Sequence, residues 1–246
     1  MIKQAVILAA GRGSRLAASD QNPEEFSKPL LQVGGSSLLG HALCACAEAG
    51  VERAFIVTGY RAESVRAEMD RWPMLDTVEV YNPEWALPNG LSVAACQRVV
   101  EGDFLLLMAD HLFDSSILAD LAAGSWSGDV TLAVDARVDA VVDLEDATKV
   151  RRDGDRIVDI GKTIEDFDAV DCGLFRCTPA LFEALEQAAR SRAPSLSCGL
   201  RQLIRTGSFL AMEVGERWWQ DVDTPEMALT AARELGRRRR TGVATR

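Results

Sequence analysis

The sequence is sparing with several features that mark particular chemistries. Among 246 residues there are two histidines, His41 and His111, so no general base stands out. The six cysteines, Cys44, Cys46, Cys96, Cys172, Cys177 and Cys198, form no C-x-x-C pair. Most sit inside apolar patterns, which reads as reduced core thiols of a cytoplasmic protein rather than disulfides or metal ligands. No apolar run reaches the roughly 18 residues of a membrane span. The first residues enter a strand pattern directly, without the apolar stretch and cleavage site of a secretory leader. Basic residues are in deficit: 27 Lys+Arg face 37 Asp+Glu, a net charge of −10. Four of those cations are the run Arg237–Arg240, so the body is more acidic still. A body of that charge argues against non-specific nucleic-acid binding, which needs a basic face. The arginine run reads as a solvated helix end that suits the macrodipole, or as the start of a linker to a further domain.

What is present is a foldable α/β pattern. Hydrophobic residues make up 48%, enough for a packed core. Strand-length apolar runs at Gln4–Ala9, Arg53–Thr58, Thr77–Tyr81, Phe104–Met108 and Val130–Val134 alternate with helical patterns at Ser37–Ala49, Ala62–Arg71, Leu91–Val100 and Ser115–Ala123. That alternation predicts a Rossmann-like, mostly parallel central sheet with helices on both faces. Then "TKVRRDGDRIVDIGK" predicts a small antiparallel insertion of two strands turning at Asp153-Gly154. Helices are expected at Pro179–Arg190 and Ser197–Thr206, a strand at Phe209–Val214, and a last helix after Thr224-Pro225. One domain over residues 1–236 with a basic tail, 237–246, accounts for the pattern.

The segment "AVILAAGRGSRL" breaks a buried strand with two glycines and two arginines. In such sheets, ligands bind at the carboxyl ends of the strands. Gly11 and Gly13 let the backbone approach a ligand, exposed N–H groups bind anions, and Arg12 and Arg15 add phosphate-binding donors. The loop therefore reads as a polyphosphate cradle. It lacks the G-x-x-x-x-G-K-[ST] of P-loops, and Leu16 replaces the third glycine of a dinucleotide fingerprint. Downstream, "FSKPLLQVGG" sets Lys28 after a polar segment, Ala17–Ser27, that can form a lid. A lysine before proline is expected to stay unburied and reach back to the phosphates.

Together "LAAGRGSRL…KPLLQVGG" resembles the signature of nucleotidyltransferases that activate sugar or alcohol phosphates with a nucleoside triphosphate. The resemblance runs to about Gly236. It implies that Leu8, Ala9, Ala10, Gly11, Arg12, Gly13 and Ser14 hold the nucleotide, and that Arg15 and Lys28 contact its phosphates.

Two further stretches carry carboxylates. "LLLMADHLF" puts Asp110 at a strand's carboxyl end, on the loop's rim, and "WWQDVDTPE" puts Asp221 and Asp223 two apart on an extended segment, facing one way. Carboxylates meeting beside a phosphate loop suit Mg²⁺, a hard ion that takes oxygen ligands. The resemblance implies Asp110 on one side of that metal and the "DVDT" aspartates on the other, with Asp223 preferred as the direct ligand. His111, next to Asp110 in an extended segment, is expected to point away from this site.

The acceptor side is drawn from "NPEWALPNGLSVAA", where Asn89, Gly90 and Ser92 either cap a helix or, as the resemblance implies, line the nucleotide and acceptor pocket, and from Thr58-Gly59-Tyr60 on the same rim. Thr58 and Tyr60 are candidates there for the base or the acceptor. Farther on, "DATKV", "IGK", "FDAVDCGLF" and "WWQDVDT" look like the inositol-1-phosphate cytidylyltransferase group. That resemblance implies CTP as donor, with Lys162 on the acceptor's phosphate and Lys149 as a second candidate. Asp146 and Asp171 can accept hydrogen bonds from acceptor hydroxyls. The lid segment is longer than expected for that group, and cytidylyltransferases for phosphonates or phosphocholine share its motifs.

Overall fold

The computed structural model describes residues 1–189 and 194–241. In chain order its elements are β1 (Gln4–Leu8), α1 (Ser14–Ala17), β2 (Gln32–Val33), β3 (Ser36–Ser37), α2 (Leu38–Glu48), β4 (Arg53–Thr58) and α3 (Ala62–Met69). There follow β5 (Asp76–Tyr81), α4 (Gly90–Ala94), β6 (Phe104–Met108), β7 (His111–Phe113), α5 (Ser115–Ala123) and β8 (Val130–Asp135). The second half holds β9 (Lys149–Asp153), β10 (Arg156–Gly161), β11 (Ala169–Cys177), α6 (Ala180–Ala189), α7 (Leu196–Thr206), β12 (Phe209–Glu213), β13 (Trp219–Asp221) and α8 (Pro225–Thr241).

Nine strands form one sheet in the order β5-β4-β1-β6-β11-β8-β12-β10-β9. The first four run parallel, so their carboxyl ends open on one rim. The β9–β10 hairpin turns where expected and joins the far edge of the same sheet. Residues alternate between two cores along β1: Ala5 and Ile7 pack with Leu39, Ile117 and Val65, while Val6 packs with Val93, Leu181 and Leu200. Period-two side chains on a strand buried on both faces produce this three-layer arrangement. A third, smaller core sets Leu16 and Phe26, which bracket the polar lid, against Leu112, Val222 and Leu235.

Three elements depart from the sequence pattern. The helix expected over Leu91–Val100 ends at Ala94, after which three-residue hydrogen bonds run from Cys96 to Val93 and from Gln97 to Ala94. Val93, Cys96 and Val100 stay buried, so a tighter coil keeps the same apolar face. The nine-residue β11, not anticipated, lies mid-sheet between β6 and β8. The last helix runs through the arginine run to Thr241, and Arg238 is not solvated: it packs over Trp218 and pairs with Asp114 at 3.0 Å. Residues 242–246 of the expected tail, and Arg190 of an expected helix, lie outside the described residues. Cys46, Cys96, Cys172 and Cys177 are buried, with their thiols pushed up by that burial, as core cysteines should be. No helix among the described residues is long and apolar enough to cross a membrane.

Candidate active site

The rim of the parallel strands gathers the charged residues into a continuous row. His111 Nδ1 bonds Asp110 Oδ1 at 2.7 Å, and Asp110 Oδ2 accepts from Lys28 Nζ at 2.5 Å. Lys28 also donates to Asp223 Oδ1. Asp223 Oδ2 accepts from Arg15 at 2.7 Å, Arg15 donates to Asp146 Oδ2 at 2.7 Å, and Asp146 Oδ1 accepts from Lys162 at 2.7 Å. Basic and acidic groups thus alternate along His111, Asp110, Lys28, Asp223, Arg15, Asp146 and Lys162, drawn from widely separated parts of the chain.

Local structure explains each placement. Asp110 sits in the turn between β6 and β7. Asp223 follows β13, which is fixed because β13 pairs antiparallel with β7 and aligns Asp221 with His111. Arg15 lies in α1, entered through Gly13 in the left-handed region at φ 71. A Cβ on Gly13 would fall 2.8 Å from Lys28 Cδ and collide with the stem of that side chain. The bare glycine therefore leaves a channel through which Lys28 reaches the carboxylates. Lys28 is consequently buried, 7% exposed, contrary to its expected unburied position. Its two carboxylate partners make burial tolerable.

The electrostatics follow from these contacts. Burial opposes the charge on Lys28, but Asp110 and Asp223 outweigh it and raise the ammonium pKa. Burial likewise opposes ionisation of Asp110, yet Lys28 and His111 hold it well below the usual carboxylate range. Arg15 shows the same balance, desolvation against Asp146 and Asp223, with its pKa raised. Asp171 and Asp221 differ. Burial pushes Asp171 up to about 6 and raises Asp221, with His111 only partly offsetting it.

Two cavities meet at this row. One, of about 520 Å³, is lined by Gly11, Arg12, Gly13, Ser14, Lys28 and Trp85. The other, of about 290 Å³, is lined by Asn89, His111, Asp146, Lys162, Asp171 and Asp221. Arg15 and Asp223 line both.

The remaining expected residues are divided. Ala9 and Ala10 contribute backbone: Ala9 N donates to Val57 O and Ala10 O accepts from Tyr60 N, tying the glycine loop to the end of β4. Leu8 is the last residue of β1. Arg12 turns to the lid, donating to Glu24 at 2.9 Å and lying 5.4 Å from the centre of the Tyr60 ring. The Tyr60 hydroxyl donates to Glu24 O at 2.6 Å, so this pair clasps the lid. Asn89 ties down the start of α7 by accepting from Leu196 N at 2.9 Å, and Gly90 packs against the Pro194 backbone.

Several side chains do not point into the site. Thr58 is fully buried and donates to Glu79 in the neighbouring strand at 2.8 Å. Ser92 is buried and accepts from Asn82 at 3.0 Å. Lys149 donates to the carbonyls of Lys162, 2.9 Å, and Glu145, 3.3 Å, which holds its ammonium on the β9–β10 loops.

His111 is the reverse case. It shares the site with Asp110, because residues 109–110 form a turn and the strict alternation of a strand does not apply. The signal for it lay in the adjacency of Asp110 and His111 itself.

No group of three or more His, Cys, Asp and Glu side chains among the described residues is arranged around a metal. The donor set nevertheless fits a hard divalent cation. Asp110 Oδ2 and Asp223 Oδ1 converge on one point, and a cation, the Lys28 ammonium, already stands there. Two carboxylates completed by phosphate oxygens and water are a habitual set for Mg²⁺.

A glycine-loop cavity and a second cavity joined by a row of alternating charge, on the rim of a Rossmann-like sheet, are the parts of a nucleotidyltransferase. The model of the MobA-like NTP transferase domain matches residues 5–207, and the chain belongs to that family. It is 32% identical over 224 residues to the bifunctional IPC transferase and DIPP synthase of Rubrobacter xylanophilus, covering 90% of this chain and 49% of that protein. The protein of the same description from Aquifex aeolicus is 30% identical over 226 residues, covering 92% of this chain and 50% of the other. The chain thus spans about half the length of these curated relatives. The inositol-1-phosphate CTP transferase from T. maritima has the same fold, with a TM-score of 0.87 and 26% identity over 99% of this chain and 98% of that one.

Proposed function

We propose that this chain transfers CMP from CTP to a small phosphorylated polyol, inositol 1-phosphate first, in a Mg²⁺-dependent reaction that releases pyrophosphate. The observation that carries this reading is the row itself: Lys28 on the glycine-loop cavity, Arg15 on both cavities and Lys162 on the second, each held by carboxylates. The triphosphate fits the glycine-loop side, where Gly11, Gly13 and Ser14 line the larger cavity. The acceptor phosphate fits the smaller cavity, beside Lys162 and Arg15. A nucleoside triphosphate donor suits a cytoplasmic setting.

An acceptor phosphate oxygen attacks the α-phosphorus, a new P–O bond forms, and the bond to the β-phosphate oxygen breaks in line. No general base is required, because a phosphate monoester with its second pKa near 6 is already ionised at neutral pH. Catalysis then rests on alignment and charge. Lys28 and Arg15 face the triphosphate, and Lys162 orients the nucleophile. Asp110 and Asp223 would hold the divalent ion, which supplies charge neutralisation at the phosphates. Asp221 lines the same cavity as Asp110 and Asp223 and feels the charges of both. Asp146 is held by Arg15 and Lys162, while Asp171 and Asp221 offer acceptors to hydroxyls in the smaller cavity.

A polyol is favoured over phosphocholine by the wall of that cavity. Among its described lining residues the one Trp, Phe or Tyr is Trp219, and its ring is already stacked with His111. A quaternary ammonium calls for an aromatic cage. The acceptors Asp171 and Asp221 stand beside the donors His111 and Asn89, a mixture that suits hydroxyl groups. Substituting Asp110 or Asp223 by Ala should nearly abolish pyrophosphate release in a folded protein. Wild-type turnover in either variant contradicts the assignment.

A further inference from the structure

The imidazole of His111 has one orientation, and its surroundings fix it. Its ring lies nearly parallel to Trp219, with 10° between planes and 6.1 Å between centroids. Gly173 adjoins it in the left-handed region, φ 73, and a Cβ there would come 2.6 Å from Cδ2 and 2.7 Å from Nε2. Backbone conformation and crowding both demand glycine at that position. Gly173 is itself pinned, because its N–H donates to Asp171 Oδ1 at 2.7 Å within the irregular stretch of β11 between Asp171 and Phe175. Pairing of β7 with β13 sets the register on the His111 side.

The consequence falls on Asp110. The terminal torsion of an aspartate is broad and roughly two-fold, so a free carboxylate can present either oxygen, or neither squarely, to a cation. Here Oδ1 is taken by His111 Nδ1 and Oδ2 is left to the point where Lys28 and Asp223 meet. Partners in the outer shell orient ligating carboxylates in this way and tune the ion they hold.

We propose that His111 is a positioning residue that locks the Asp110 carboxylate so that Oδ2 faces the cation point shared with Asp223. This inference rests on the Mg²⁺ reading above. It assigns the histidine no contact with the reacting atoms.

The test is calorimetric titration of CTP into the full chain, with and without Mg²⁺ and without acceptor, so that nothing turns over. The ratio of the two affinities reads the metal linkage. In wild type, Mg²⁺ should tighten CTP binding. His111→Leu should lose at least tenfold of that gain while metal-free CTP affinity stays within about twofold. His111→Asn, whose side-chain amide can donate from near the Nδ1 position, should restore most of it. A purely packing role would change both affinities alike, and Asn would not rescue it. Should the leucine variant not fold, His111→Phe keeps a ring on Trp219, removes the donor and carries the same comparison. Retention of the full gain in a folded Leu or Phe variant overturns the inference alone. A wild type whose CTP affinity ignores Mg²⁺ overturns the metal reading and the inference with it.

Discussion

Arg15 donates to the carboxylate of Asp223 across 2.7 Å, although 208 residues separate them in the chain. The contact joins the glycine loop to the last strand of the rim, at the boundary of the two cavities. Its Arg15 side chain is half exposed, so the pair contributes at most about 1 kcal/mol to stability. Arg15→Ala should therefore leave the melting temperature within a few degrees, yet lower kcat/KM for CTP about 100-fold, the cost of about 2.7 kcal/mol of lost charge stabilisation. Thermal melts and steady-state kinetics on one preparation check both halves.

Lys28 occupies the position a divalent cation would share with Asp110 and Asp223. Lys28→Met removes the cation these two close carboxylates share and leaves only His111 beside Asp110 and Arg15 beside Asp223, so the protein should be destabilised in metal-free buffer. Because the ion binds the folded state, added Mg²⁺ should recover part of that loss. Thermal melts with and without Mg²⁺ read this directly. A variant indifferent to the metal contradicts the shared position.

Gly13→Ala combines a left-handed backbone, φ 71, with a collision against the Lys28 stem. Strain of this kind costs on the order of 1–3 kcal/mol. Chemical denaturation should show that loss, and CTP affinity should fall with it, since the methyl group closes the channel through which Lys28 passes.

Asp171 supplies a pH signature. Burial raises its folded-state pKa to about 6, above the ordinary carboxylate value near 4. The folded protein therefore binds the extra proton between about pH 4 and 6, and stability declines as pH rises through that window. Asp171→Asn removes the burden while keeping an acceptor for Gly173 N. It should stabilise the protein above pH 6, by at most about 3 kcal/mol, and make no difference below pH 4. Denaturant melts at pH 4 and pH 7 decide it.

Much of this architecture was legible in the sequence for identifiable reasons. Strands such as Phe104–Met108 are continuous apolar runs, and the glycine loop, Lys28, Asp110, Asp223 and Lys162 are carried by local motifs. The structure departs from the sequence pattern where local rules fail. His111 escapes the alternation of a strand because residues 109–110 form a turn. Nothing local to Lys28 shows that two carboxylates from residues 110 and 223 will enclose it. Thr58 lies on the expected rim, but the side its hydroxyl faces depends on Glu79 of a neighbouring strand. The helix after Asn89 tightened without moving its apolar face, which the periodic pattern alone does not register. Strand β11 has a glycine inside an apolar run, and such a glycine often marks a bulge.

The central claim, cytidylyl transfer across the row of alternating charge, is tested most directly by pyrophosphate release. The purified chain would be given CTP and Mg²⁺ with inositol 1-phosphate, phosphocholine, glycerol phosphate, a sugar 1-phosphate and a hydroxyalkyl phosphonate in separate reactions. The account predicts release with inositol 1-phosphate well above the other acceptors, abolished by Asp110→Ala. Silence with every acceptor while CTP still binds, or release undiminished in the folded Asp110→Ala variant, would contradict it.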